Sequence, residues 1–327
     1  MTRTRTRIRS RRAASAVALC CAVAGVGLVG CDEDGANGAD ASGSPSADSN
    51  DNTRKDRETG KDSDGQADAD TKTFEGTRKI RVDGRSVNVS CSGKPADGRP
   101  VVVLLHGGGH DVTKMAEFQK SLGAKQRTCS YDRPGAGASA KPVGRQSLAD
   151  SGKVLTGVLD AVAGDNPVVL AGHSLGGVIA ARYAPDHGDR VKGLVLMDAT
   201  SPTQGADLTR DVPKSAEGQT AQLRDQTIAA LEGQNPERLV VPDGEVRSAG
   251  NIPVEVVQHG VRHLAEFPEH GEAMERSWAE GQKKWLALSS ASKLRTATKS
   301  AHDIYLDEPA VPAASITRVV AQVTDRG

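Results

Sequence analysis

The 327-residue chain has few aromatic side chains: three Phe, three Tyr and two Trp, 2% of its residues. So small a supply argues against a pocket that recognises sugars or nucleobases by stacking. Net charge is lacking too, because 42 basic and 42 acidic residues cancel at pH 7, and the total gives no case for binding nucleic acid. Large apolar residues are almost absent from residues 32–75, where Asp, Ser, Gly and Asn dominate and Phe74 is the first aromatic. Such a stretch buries too little surface to offset its ordering entropy and is expected to be a disordered tether. Cysteine is sparse: of five, Cys20, Cys21 and Cys31 lie in the N-terminal segment, leaving Cys91 and Cys129 for the rest.

What is present begins with charge. Residues 3–12 carry six arginines and no acid, and residues 13–30 are uncharged and end in small side chains, the pattern of an export signal. Leu28-Val29-Gly30-Cys31 resembles the lipobox of bacterial lipoproteins, which implies acylation of Cys31 as the new N-terminus. Ser10-Arg11-Arg12 is faintly similar to a twin-arginine signal, without the bulky apolar residue that should follow. The expected organisation is a signal at 1–31, a tether at 32–75 and a folded domain at 76–327, outside the cytoplasm and held at the membrane by lipid. In an oxidising compartment the even pair Cys91 and Cys129 reads as a disulfide.

From residue 77 onward apolar runs alternate with helical patterns, which predicts a mostly parallel sheet with helices on both faces. Residues 79–82 and 86–90 form a hairpin pattern across Asp83-Gly84, and 101–105, 126–131, 167–171, 191–197, 252–257 and 294–298 read as further strands. Helices are expected over 147–163, through 178–183, before Leu288 and over 313–323. Residues 199–251 lack a convincing buried strand, and with helical character at 220–231 they read as a cap over the C-terminal strand ends, where such sheets place ligands.

The strongest chemical signal is Gly172-His173-Ser174-Leu175-Gly176-Gly177 between a predicted strand and a predicted helix. A serine hydroxyl is a weak nucleophile that needs exposure, a base and a site for the oxyanion. The G-x-S-x-G turn holds it at a sharp bend while its glycines let strand and helix approach. His106-Gly107-Gly108-Gly109 follows the strand at 101–105, and a glycine-rich loop there can aim backbone N–H groups at an oxyanion. The expected donors are Leu175 and one of Gly108 or Gly109, with Gly108 preferred.

With these motifs the region from residue 77 resembles the α/β-hydrolase superfamily. Tyr131-Asp132-Arg133-Pro134-Gly135-Ala136-Gly137-Ala138-Ser139 is similar to its recurring Y-D-R-P-G-x-G-x-S loop, and Ser300-Ala301-His302-Asp303 followed by Asp307-Glu308-Pro309 to its S-G-H…D-x-P ending. Ala301 stands where glycine is usual. The resemblance implies an α/β fold of eight strands with the cap after strand six, and a base at His302 after the last strand. It also makes the strands of Cys91 and Cys129 neighbours, so a disulfide between them can close. Asp132 and Arg133 are expected to brace the pocket rim, Trp278 and Trp285 to pack, and His187 to lie at the surface. His259, His263 and His270 cluster without a cysteine, a weak metal signal, and no metal or organic cofactor is implied.

The third member of a triad follows the seventh strand in most of the family, yet no aspartate occurs between Asp243 and Asp303. Asp198, directly after the sixth strand, is the preferred acid, with Glu266 or Glu269 as alternatives and Glu255 inside the strand. The function so implied is hydrolysis of a small carboxylic ester through an acyl-enzyme on Ser174. Amide or peptide hydrolysis, a cofactor-free haloperoxidase-like activity, and a binding lipoprotein that has lost catalysis are the alternatives.

Overall fold

A computed structural model describes residues 74–326. The signal, Cys31 and all but the last residues of the tether lie outside the described residues. Eight strands form one sheet: β1 (Gly76–Val82), β2 (Arg85–Ser92), β3 (Val101–Leu105), β4 (Thr128–Tyr131), β5 (Val168–His173), β6 (Val191–Met197), β7 (Val254–His259) and β8 (Ser292–Ala297). Their order is β1-β2-β4-β3-β5-β6-β7-β8, with β1–β2 and β2–β4 antiparallel and every other pair parallel. The α-helices of the described residues are α1 (Ala116–Gly123), α2 (Leu148–Ala163), α3 (Leu175–Tyr183), α4 (Gln204–Asp211), α5 (Gly218–Leu231), α6 (Gly271–Lys284), α7 (Ile304–Asp307) and α8 (Ala310–Thr324).

Strand β3 is apolar and buried at every position because both faces of the sheet are covered there. On β3, Val101, Val103 and Leu105 join Val154, Leu155 and Val158 of α2 and Val178 and Ile179 of α3 in one core. Val102 and Leu104 face the other way, toward Phe118 and Leu122 of α1 and Ile316 and Val319 of α8. Each such buried side chain contributes about 1.5–3 kcal/mol, the alternation of period two dividing it between two cores. A reciprocal cap starts α2: Ser147 Oγ accepts from Asp150 N at 3.1 Å while Asp150 Oδ2 accepts from Ser147 N at 3.1 Å.

Several boundaries differ from the sequence reading. Strand β7 starts at Val254, two residues late, because Pro253 has no N–H to give a ladder. Helix α8 begins at Ala310 and takes in Pro312, whose missing N–H is harmless in a first turn. Helix α4 has no counterpart in the sequence pattern. It and α5 supply the helices of the 199–251 segment, which lies over the C-terminal strand ends and walls the main cavity.

Cys91 and Cys129 are disulfide-bonded; they are directly opposed partners on β2 and β4. No helix among the described residues is long and apolar enough to cross a membrane.

Candidate active site

Ser174 stands between β5 and α3 with φ +50°, a conformation that a residue with a Cβ adopts only under strain. The surrounding backbone holds it there. Ser174 N donates to Met197 O at 3.1 Å, and Ser174 O accepts from Gly177 N at 2.9 Å and from Thr200 N at 3.2 Å. Glycine is obligatory at 176, since a Cβ there would stand 2.2 Å from Leu105 O. The bend thus depends on β3, β6 and α3 approaching one another closely.

Ser174, Leu175, Gly107, Gly108, Gly109 and His302 line one cavity of about 1040 Å³. Its far wall comes from α4, α5 and the segment after them, including Leu208, Leu223 and Leu231. A Cβ on Gly108 would lie 3.6 Å from the Leu175 side chain, so the two proposed oxyanion donors flank one mouth of the cavity. The Ser174 hydroxyl is within 3.4 Å of Thr200 Oγ1 rather than hydrogen-bonded to His302. A contact between a nucleophile and its base is often long until substrate is bound.

Asp198 follows β6 and is fully buried. His302 Nδ1 donates to its Oδ2 at 2.7 Å, which leaves Nε2 of that ring as the nitrogen free to take a proton. The same carboxylate accepts three more hydrogen bonds: His259 Nδ1 to Oδ2 at 2.8 Å, His259 N to Oδ1 at 3.1 Å and Trp278 Nε1 to Oδ1 at 3.0 Å. Burial opposes ionisation of Asp198, but the charge of His259 and the donors from His259 and His302 outweigh it and hold the carboxyl far below its usual range. The alternatives are elsewhere: Glu266 and Glu269 are exposed, and Glu255 is clamped by Arg318 at 2.8 and 2.6 Å.

Two neighbours of Asp198 escape the sequence reading. His259 ends β7, where its ring also donates from Nε2 to Glu275 Oε1 at 2.9 Å. Trp278 does more than the expected packing; it lines the cavity, meets His302 edge-on at 5.3 Å and donates to Asp198. Trp285 does pack, fully buried, with its N–H on Thr200 O at 3.2 Å. The signal available was spacing. Glu275, Trp278, Gln282 and Trp285 fall at helical intervals on one stripe, from which Glu275 meets His259 and the other three hold residues 198–200.

Asp132 and Arg133 serve the scaffold. Asp132 accepts from Val112 N at 2.7 Å, Asn88 Nδ2 at 2.8 Å and Ala138 N at 2.9 Å. Arg133 donates to His106 O at 2.7 Å and Gly107 O at 3.0 Å, bracing the glycine loop from behind. His106 itself is buried and neutral, burial and the Arg133 charge pushing its pKa well down. His187 stacks on Tyr183 at 3.6 Å, away from the cavity.

Among the described residues, two groups bring three ligand-type atoms within 4.8 Å of one another: His259, His263 and Glu275, and His110, His173 and Asp303. In the first, the His259–Glu275 hydrogen bond already uses the facing atoms; in the second, His173 Nε2 donates to His302 O at 3.0 Å.

The sheet order, the strained serine turn after β5 and the histidine after β8 define the α/β-hydrolase fold. Residues 100–240 match the family model for that fold. A 2-hydroxy-6-oxononadienedioate/2-hydroxy-6-oxononatrienedioate hydrolase of Burkholderia vietnamiensis is 38% identical over 105 residues, 31% of this chain and 36% of its own length. The dihydrolipoyllysine-residue acetyltransferase component of the acetoin cleaving system of Pseudomonas putida is 33% identical over 101 residues, 31% of this chain and 27% of that protein. The chain therefore spans about a third of the length of the curated relatives it matches. Among solved structures, a serine hydrolase involved in carbazole degradation is similar with TM-score 0.55 and 17% identity, covering 75% of this chain and 98% of that one. The enol-lactonase from Burkholderia xenovorans is similar with TM-score 0.52 and 15% identity, covering 75% of this chain and 100% of that one. At these identities the structural likeness is one of fold.

Proposed function

We propose that this chain is a serine hydrolase that cleaves small carboxylic esters through an acyl-enzyme on Ser174. The observation that carries the reading is the strained Ser174 in one cavity with His302, whose Nδ1 is 2.7 Å from the buried Asp198. In acylation the Ser174 hydroxyl attacks the ester carbonyl and its proton passes to His302 Nε2. The tetrahedral oxyanion is met by the N–H groups of Leu175 and Gly108, and the proton then leaves with the alcohol. Water repeats the sequence on the acyl group and frees the acid. Asp198 stabilises the imidazolium formed in each half-reaction and keeps the ring in its tautomer. The chemistry described needs no cofactor.

The test is a fluorophosphonate probe together with p-nitrophenyl esters of graded chain length. The expected result is labelling at Ser174 and ester turnover, both lost in Ser174→Ala while the fold persists. Turnover near the wild-type level in that variant would refute the mechanism. A folded wild-type chain that neither labels nor turns over would favour a binding role instead.

The reading extends to location. The lipobox-like segment ending at Cys31 supports a protein exported and held at the membrane by an acylated cysteine. Mass spectrometry of the mature N-terminus tests this, and a terminus far from residue 31 would end it.

A further inference from the structure

A single imidazole, His259, stands between two buried carboxylates. Its Nδ1 is 2.8 Å from Asp198 Oδ2 and its Nε2 is 2.9 Å from Glu275 Oε1. A neutral imidazole carries one N–H, so it would set a bare lone pair against one of these acceptors. Only the doubly protonated ring donates to both. Glu275 is held for this purpose: its other oxygen accepts from Leu264 N at 3.2 Å. His302 and His259 thus donate to the same oxygen of Asp198, from the ends of the neighbouring strands β8 and β7.

We infer that His259 is a positioning residue of the Ser174–His302–Asp198 apparatus, held as an imidazolium between Glu275 and Asp198, where it fixes the carboxylate and shares its charge with His302. The inference rests on the hydrolase reading. Its consequence is electrostatic. A fixed cation on the same carboxylate oxygen as His302 takes up part of the charge that Asp198 presents to the His302 ring. Replacing His259 removes that cation and leaves the whole charge of Asp198 facing the His302 ring. The charge on His259 agrees: burial lowers its proton affinity, but Asp198 and Glu275 overcome that and push its pKa up to about 10.

The other ionisable groups around the pair do not supply this cation. His263, edge-on to His259 at 4.6 Å, has its pKa lowered by burial and then by the charge of His259. His173, 4.7 Å from the His302 ring, is driven well down by burial. His110 is lowered by burial, with Asp303 opposing. Arg262 and Arg276 border the small surface pocket behind His259 and Glu275, and Arg262 is paired with Glu272 at 2.6 Å.

The experiment is the pH dependence of kcat/KM for a p-nitrophenyl ester in the wild type and in His259→Gln. The expected result is an acid limb displaced upward by at least about one pH unit in the variant, with KM little changed. A fall in kcat with the limb unmoved would reduce His259 to a structural role and overturn the inference. If His259→Gln does not fold, Glu275→Gln substitutes: without that carboxylate the second proton of His259 is held less firmly, so the limb should move in the same upward direction, and an unmoved limb overturns the inference. A readout independent of turnover separates this from the hydrolase reading. In Ser174→Ala, nitrogen-resolved NMR of His259 should show both ring nitrogens protonated at pH 8, and a single protonated nitrogen there would overturn the inference whether or not the wild type cleaves esters.

Discussion

Arg133 and Glu237 form a bidentate pair buried between the glycine loop and the 199–251 segment: Arg133 Nε lies 2.6 Å from Glu237 Oε2 and Nη2 lies 2.8 Å from Oε1. The same guanidinium carries the carbonyls of His106 and Gly107. The proposed oxyanion loop and the segment that roofs the cavity are therefore set by one side chain. Glu237→Gln leaves the guanidinium buried without its compensating charge, and such losses cost about 3–5 kcal/mol. The expected outcome is a fall of that order in urea-unfolding stability together with reduced ester turnover. Arg133→Met with Glu237→Met should lose less stability than the two single variants combined.

Assignment of the acid is tested by Asp198→Asn. Replacing the aspartate of a serine-protease triad by asparagine lowers turnover by about 10⁴, and a loss of that order is expected here. Glu266→Gln and Glu269→Gln, both at exposed positions, should change turnover less than about twofold. The reverse pattern in steady-state kinetics would return the acid to the loop after β7.

Stability should peak near pH 6.5, from two opposite effects. The folded pKa of His259 is raised from 6.5 to about 10, so its contribution is complete below about pH 6.5 and fades as pH rises toward 10. His106 and His173 are lowered from 6.5, so they bind protons more readily unfolded and weaken the fold as pH falls below that value. Chemical unfolding across pH 5–10 measures both flanks. In His259→Gln the alkaline flank should flatten; an unchanged flank would show that His259 is not the group responsible.

Reduction of the Cys91–Cys129 disulfide should destabilise the domain. The bridge closes a loop of 38 residues, for which chain-entropy estimates give about 3–4 kcal/mol. Unfolding curves with and without reductant, and of Cys91→Ala with Cys129→Ala, check the figure. Two free thiols in folded, unreduced protein would remove its basis.

The parts of the fold legible from sequence are those written in local pattern. Runs such as 101–105 and 167–171 have no polar face and so announce strands covered on both sides. The serine turn is legible because Gly172 and Gly176 are demanded by backbone contacts whatever the partners. Asp198 can be approached by elimination along the chain. His259 and Glu275 cannot, because their roles arise where β6 and β7 align in register and α6 crosses the strand ends. Helical spacing sets Glu275 on one stripe with Trp278 and Gln282, but nothing local names His259 as its partner. Helix α4 is hidden for a different reason: residues 204–211 offer only Leu208 as a large apolar side chain, and packing against Leu223 and Met274 supplies what propensity does not.

The hairpin at the sheet edge bears on how the domain carries a mechanical load. Strand β1 is outermost, and its first residue, Gly76, is paired with Cys91 at the end nearest Phe74. A pull applied at Phe74 loads that antiparallel ladder at its open end, so β1 peels from β2 one pair at a time rather than by shearing. The peel then turns the corner at Asp83-Gly84 and works back along β2 through the partners Val89–Tyr131 and Ser90–Ser130. There it meets the covalent bond between Cys91 and Cys129. Force beyond that point passes into β4, while β5, β6 and β8, which precede Ser174, Asp198 and His302, stay in place with the cavity they border. For such a pull the bridge would be a stop, with the first hairpin lying ahead of it.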